Sequence, residues 1–134
     1  MSKYLPITIV RPEQFDRGTA QTPGSQRAAA IAPARGVETG LWGGIFIVEP
    51  GGRTGIHHHG EQETIAYVLE GACEVRWGER GEFSAQAGAG DFIHVPPMLP
   101  HMEMNASPEE PFKWVVVRST ATPIVINLPD DYWR

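Results

Sequence analysis

The stretch Gly51-Gly-Arg-Thr-Gly-Ile-His57-His58-His59-Gly-Glu-Gln-Glu63-Thr64 sets three histidines and two acids between glycines, in a chain interrupted throughout by 15 glycines and 12 prolines. On a strand, residues i and i+2 face the same way, so His57 and His59 can grip one metal ion while His58 points away. Breakers this frequent leave little room for a helix of ten or more residues, and the expected fold is all-β. Outward from the histidines, the runs predicted as strands are Ile7–Val10, Arg27–Ile31, Leu41–Val48, Gly55–His59, Ile65–Glu70, Cys73–Trp77, Phe83–Ala87, Phe92–Val95, His101–Asn105, Lys113–Arg118 and Ile124–Asn127. Short strands at this spacing indicate a sandwich or barrel. Glu70-Gly71-Ala72 and Gly78-Glu-Arg-Gly81 read as hairpin connections, because glycine supplies the positive φ of tight turns.

The chain has 134 residues, 41% of them hydrophobic, which fits one domain with a proper core. Residues 1–39 are expected to form an N-terminal arm and edge strands, 40–128 the barrel, and 129–134 a C-terminal tail. A net charge of -5 with both signs interspersed argues against nucleic acid or an anionic membrane as a partner. Apolar runs such as Ile45–Val48 are far shorter than the roughly 20 residues that span a bilayer. The single cysteine, Cys73, has no internal disulfide partner, and Met-Ser-Lys-Tyr-Leu-Pro lacks the apolar core of a secretory signal. The expected location is the cytoplasm. Ile65-Ala-Tyr-Val-Leu69 and Trp114-Val-Val-Val117 are apolar on both alternating faces, so a second cover is required. A homodimer is predicted to provide it, with the N-terminal arm as the alternative.

A second segment completes the histidine pattern. Gly90-Asp-Phe-Ile-His-Val-Pro96 leads to His101 and then Asn105. The two segments, in this order, resemble the cupin superfamily over about residues 40 to 120. Gly51, His57, His59 and Gly71 fall on that family's first motif; Gly90, Pro96, His101 and Asn105 fall on its second, with Met98 where the family usually has glycine. The resemblance implies a double-stranded β-helix, or jelly roll, with a divalent transition metal inside the barrel held by His57, His59 and His101.

The departure lies at the family's glutamate. Counting back from Gly71, or forward from His59 by the longer spacing, puts that position on Thr64; the shorter spacing puts it on Glu63. One residue of shift turns a side chain to the opposite face of its strand. The expected shell is three histidines and water, with Glu63 as a further ligand should a bulge re-aim the strand end. His58 and His94 fall on outward positions. Glu103 shares parity with His101, and as a buried carboxylate would serve beside the metal as a supporting or acid/base group, the candidate catalytic residue. Phe46, Tyr67, Phe92 and Trp114 read as core packing.

Three neutral imidazoles leave adjacent coordination positions open. With Fe(II), the favoured metal, substrate and O2 can share them, and the site resembles that of three-histidine cupin dioxygenases acting on a small organic acid, diketone or thiol. With Zn, Ni or Mn it would support isomerase or lyase chemistry by polarising a carbonyl. A non-enzymatic cupin that binds a small molecule is the third alternative.

Overall fold

The computed structural model describes residues 3–19 and 24–134. It contains ten strands: β1 (Ser25–Ile31), β2 (Trp42–Val48), β3 (His57–His58), β4 (Thr64–Glu70), β5 (Ala72–Trp77), β6 (Phe83–Gly88), β7 (Phe92–Val95), β8 (His101–Met104), β9 (Phe112–Arg118) and β10 (Ile126–Asn127). Short 3-10 turns at Pro12–Gln14 and Pro33–Arg35 are the only helical segments among the described residues. The strands form two five-stranded antiparallel sheets, ordered β1-β2-β9-β4-β7 and β10-β3-β8-β5-β6, which face each other as a jelly roll.

Every predicted strand forms at least in part except Ile7–Val10. That segment has no regular secondary structure and pairs with no strand, and Ile7 and Ile9 are exposed. Glu70-Gly71-Ala72 is not a hairpin either. β4 and β5 lie in different sheets, and Gly71, at φ +77°, carries the chain from one to the other. A β-carbon at Gly71 would sit 2.5 Å from the Pro111 carbonyl oxygen, so the crossing needs glycine for space as well as for φ. Gly78-Glu-Arg-Gly81 does close a hairpin, with Trp77 opposite Phe83.

The core lies between the sheets. Strict alternation along β2 and β9 sends Trp42, Phe46 and Val48, and Phe112, Trp114 and Val116, inward. The Trp114 ring lies 5.1 Å from Phe46 and 5.0 Å from Phe112. Burial of each such ring contributes roughly 1.5–3 kcal/mol. Tyr67 and Phe92 are not in this core. Their rings lie 4.9 Å apart and tilted on the outer face of the first sheet, where Phe92 is 74% exposed. Their outward parity follows from Ala66, Val68, Ile93 and Val95 taking the inner positions.

Two inward rows of the first sheet fix what faces the second. One runs Arg27, Phe46, Trp114, Val68 across β1, β2, β9 and β4. The other runs Trp42, Arg118, Thr64, Val95 across β2, β9, β4 and β7. Each puts a buried arginine among apolar side chains.

Candidate metal centre

β3 is short because Gly55 and Gly60 flank it, yet it is placed by pairing on both sides, with β10 and with β8. His57 stands directly opposite His101 in that register, and His59 follows on the same face just past the strand end. The ligand atoms of His57, His59 and His101 all lie within 4.8 Å of one another, and all three residues are buried. Their rings are 4.4 to 5.2 Å apart.

Backbone carbonyls fix the rings. The Nδ1 atoms of His57, His59 and His101 lie 2.8, 2.7 and 2.8 Å from the carbonyl oxygens of Gly55, Ile124 and Leu99. A carbonyl only accepts, so each Nδ1 carries the proton and each Nε2 presents a lone pair. His57 Nε2 and His101 Nε2 have no hydrogen-bond partner. Burial pushes the His57 imidazolium down to about 3, opposed by Glu103 and helped by Arg27. Burial and then Arg118 push His59 lower still. Neutral rings are the form that binds metal.

Glu103, two residues beyond His101 on β8, is buried against this cluster. Its carboxylate oxygens lie 3.3 Å from His101 Nε2 and 3.8 Å from His57 Nε2, without hydrogen-bond alignment. The Thr54 hydroxyl donates to Oε2 at 3.0 Å and accepts from the Glu103 backbone N–H. Burial raises the Glu103 carboxyl, but the neighbouring His101, His57 and Arg27 favour its ionised form and hold the group below the usual carboxylate range. Imidazole lone pairs facing an ionised carboxylate are unfavourable unless a cation sits between them. The residues therefore fit a divalent metal held by three Nε2 atoms.

Glu63 lies apart from this group. Its carboxylate accepts a hydrogen bond from His94 Nε2 at 2.8 Å, with both side chains more than half exposed. β4 begins without a bulge at Thr64, which faces inward, so alternation turns Glu63 outward. The Thr64 hydroxyl is buried with no hydrogen-bond partner. His58 also points away, its Nδ1 accepting from the Gly60 N–H.

Residues to which the sequence reading gave no role at the metal support the site. Gln62 is 1% exposed, donates to the Thr122 carbonyl at 2.6 Å and accepts from the Ile124 N–H at 2.8 Å. It thereby holds the same Ile124 whose carbonyl orients His59. Asn105 ties Val48, Glu49 and Glu110 carbonyls together below the site. Arg27 and Arg118, 4% and 2% exposed, line an interior space with His59, Thr64, His101, Glu103 and Trp114. Arg27 stacks on Phe46 at 4.8 Å and Arg118 on Trp42 at 5.2 Å. Burial lowers them to about 10 and about 9, with the charge of Arg27 adding to the effect on Arg118. The inward alternation Trp114, Val116, Arg118 was the available signal for Arg118. Arg27 opens a run in which three consecutive residues are buried, so parity does not single it out.

The cupin domain model matches residues 44–118, more than half of the chain. The chain is a cupin. Among solved structures, this cupin is similar to the polyketide cyclase RemF from Streptomyces resistomycificus, with TM-score 0.69 and 24% identity over 99% of this chain and 91% of that one. It is also similar to the oxalate decarboxylase of Lactobacillus farciminis in its formate complex, with TM-score 0.71 and 21% identity, covering 84% of this chain and 34% of that one. An oxalate oxidase gives TM-score 0.68 and 23% identity over 84% of this chain and 59% of that one. The chain thus spans about a third of the decarboxylase and under two thirds of the oxidase. At these identities the likeness shows the fold. No curated protein matches the chain. No helix among the described residues is long and apolar enough to cross a membrane.

Proposed function

We propose that this cupin is a metal-dependent enzyme acting on a small organic acid or enolisable carbonyl compound, with Fe(II) and dioxygenase chemistry as the leading reading. The observation that carries it is the convergence of three carbonyl-anchored imidazoles with a threonine at the family's glutamate position, which leaves adjacent metal positions for a substrate. A divalent ion bound there would polarise a substrate oxygen and, as Fe(II), bring O2 beside it. His57, His59 and His101 hold their Nε2 atoms in place. Glu103 stands next to that position as an ionised carboxylate held by Thr54, placed to accept a hydrogen bond from a bound substrate.

A groove of about 490 Å3 between the β6 edge of one sheet and the β7 edge of the other reaches His101, and its walls include Val75, Trp77, Phe92, Ile93 and Leu99. It supports an apolar substrate body. The ionised Glu103 also supports a second reading, in which a redox-inert ion polarises the substrate beside this carboxylate in an isomerase, lyase or cyclase reaction. Fe(II)-loaded protein consuming oxygen with a panel of diketones, thiols and aromatic acids is the result expected of the leading reading. Turnover that proceeds equally without oxygen and with Zn would replace it by the second.

We also propose a homodimer through the outer face of the first sheet, and a cytoplasmic location in keeping with the lone buried thiol of Cys73. Ile65, Tyr67, Leu69, Phe92 and Val117 are exposed there, while the arm residues Pro12 and Phe15 border only the Ile45, Ile47 and Leu69 end. Light scattering at twice the 14.7 kDa chain mass is expected; a monomer overturns the dimer.

A further inference from the structure

The inward wall of the first sheet carries donors and positive charge that the metal triad does not use. Thr64 and Arg118 are direct register partners on β4 and β9. Thr64 Oγ1, Arg118 Nε and Nη1, and Trp114 Nε1 are all buried without a hydrogen-bond partner, and their residues line one interior space with His59, His101 and Glu103. Buried guanidinium and indole N–H groups left without acceptors are costly. Charge tells the same story. With neutral imidazoles, Arg27 and Arg118 against Glu103 leave one surplus positive charge, and a divalent ion raises the surplus to three. The position where cupins usually hold a carboxylate is here a hydroxyl beside a buried arginine.

We propose that Arg118, with Thr64 and Trp114 Nε1 and with charge added by Arg27, forms a carboxylate-binding subsite in which the substrate supplies the acid group that Thr64 lacks. The deepened reading rests on the metal-enzyme proposal above and narrows its substrate class to acids with one carboxylate over Arg118 and an apolar, preferably aromatic, body. The guanidinium lies over the Trp42 ring, and an anion paired with it offsets one of the surplus positive charges. The interior space is small, with room for about one water molecule, so a head group enters it with movement of the lining side chains. The apolar groove shares Val95 and His101 with it, so the body of the same molecule extends there past Trp77 and Phe92.

The test is calorimetric binding of 3-phenylpropanoate and of its neutral primary amide to metal-free and Zn(II)-loaded protein, with zinc content measured on the same samples. The acid is expected to bind at least tenfold tighter than the amide in both forms. Arg118→Gln and Thr64→Glu are each expected to weaken acid binding at least tenfold with zinc content unchanged. Thr64→Glu places a carboxylate where the ligand's would sit, so it keeps the test decisive if Arg118→Gln does not fold. Equal affinity for acid and amide, binding of neither, or a Thr64→Glu variant that binds acid like the parent overturns the subsite. Acid binding only with zinc present and insensitive to Arg118 overturns it too, because the carboxylate is then held by the metal alone. Absence of zinc from the triad is a separate result, which removes the metal reading while the acid and amide comparison on metal-free protein still stands.

Discussion

The two walls of the barrel interior are built on opposite principles. On the β3–β8 wall, each histidine Nδ1 meets a backbone carbonyl, the Glu103 carboxylate meets a threonine hydroxyl, and only the Nε2 lone pairs are left over. On the β9–β4 wall, guanidinium, indole and hydroxyl groups are buried with donors to spare. One wall is short of a cation and the other has too much positive charge. A metal would satisfy the lone pairs of the first wall and an anion the donors of the second.

The largest effects should separate the walls. His57→Ala or His101→Ala is expected to lower metal affinity at least ~100-fold, more than loss of a supporting group would, whereas His58→Ala should leave it unchanged. Metal content by elemental analysis checks this, and equal loss in all three variants would break the assignment of facing sides. Glu103→Gln should destabilise the metal-free protein by about 3 kcal/mol, the usual cost of removing one partner from a buried charge cluster, measured by urea unfolding. An unchanged midpoint would mean that the two walls are not coupled through this carboxylate.

The pH dependence of metal-free protein sharpens the comparison. His57 is lowered in the folded state to about 3, so between its ordinary value of 6.5 and about 3 the unfolded chain binds the extra proton. Stability should therefore fall as pH drops through that window, with His59 acting in the same direction. Glu103, also lowered, contributes stability that is present above the ordinary carboxylate range and lost on further acidification. Thermal melts from pH 7 to 4 test the sum; a flat profile would contradict neutral, buried imidazoles.

A smaller effect concerns the loop that carries His101. Met98, at φ +64°, occupies the position where cupins usually have glycine, and its N–H donates to the Gly60 carbonyl beside His59 at 2.7 Å. Left-handed backbone costs a non-glycine residue roughly 1–2 kcal/mol, and glycine's greater freedom in the unfolded chain offsets part of that. Met98→Gly should raise stability by less than about 1 kcal/mol with metal affinity unchanged, by urea unfolding and metal titration.

The cation-binding wall was legible in the sequence because H-x-H spacing is local and assigns facing sides without any knowledge of tertiary structure. His101 and the separation of Thr64 from Glu63 came from the resemblance to the cupin motifs. The opposite wall was not legible. Arg27, Thr64 and Arg118 lie on three different strands and meet only through the order β1-β2-β9-β4, which no single segment encodes. Gln62 was missed for the same reason, since its partners lie about 60 residues away. Gly71 looked like a hairpin turn because the sequence marks that the chain reverses, not which sheet it joins next.

X-ray absorption or anomalous diffraction at the edge of the metal that copurifies with the protein tests the central claim most directly. Three imidazole Nε2 ligands from His57, His59 and His101, with the Glu63 carboxylate still on His94 outside the barrel, is the predicted result. A Glu63 oxygen at bonding distance from the ion, or an ion bound away from these three histidines, would contradict it.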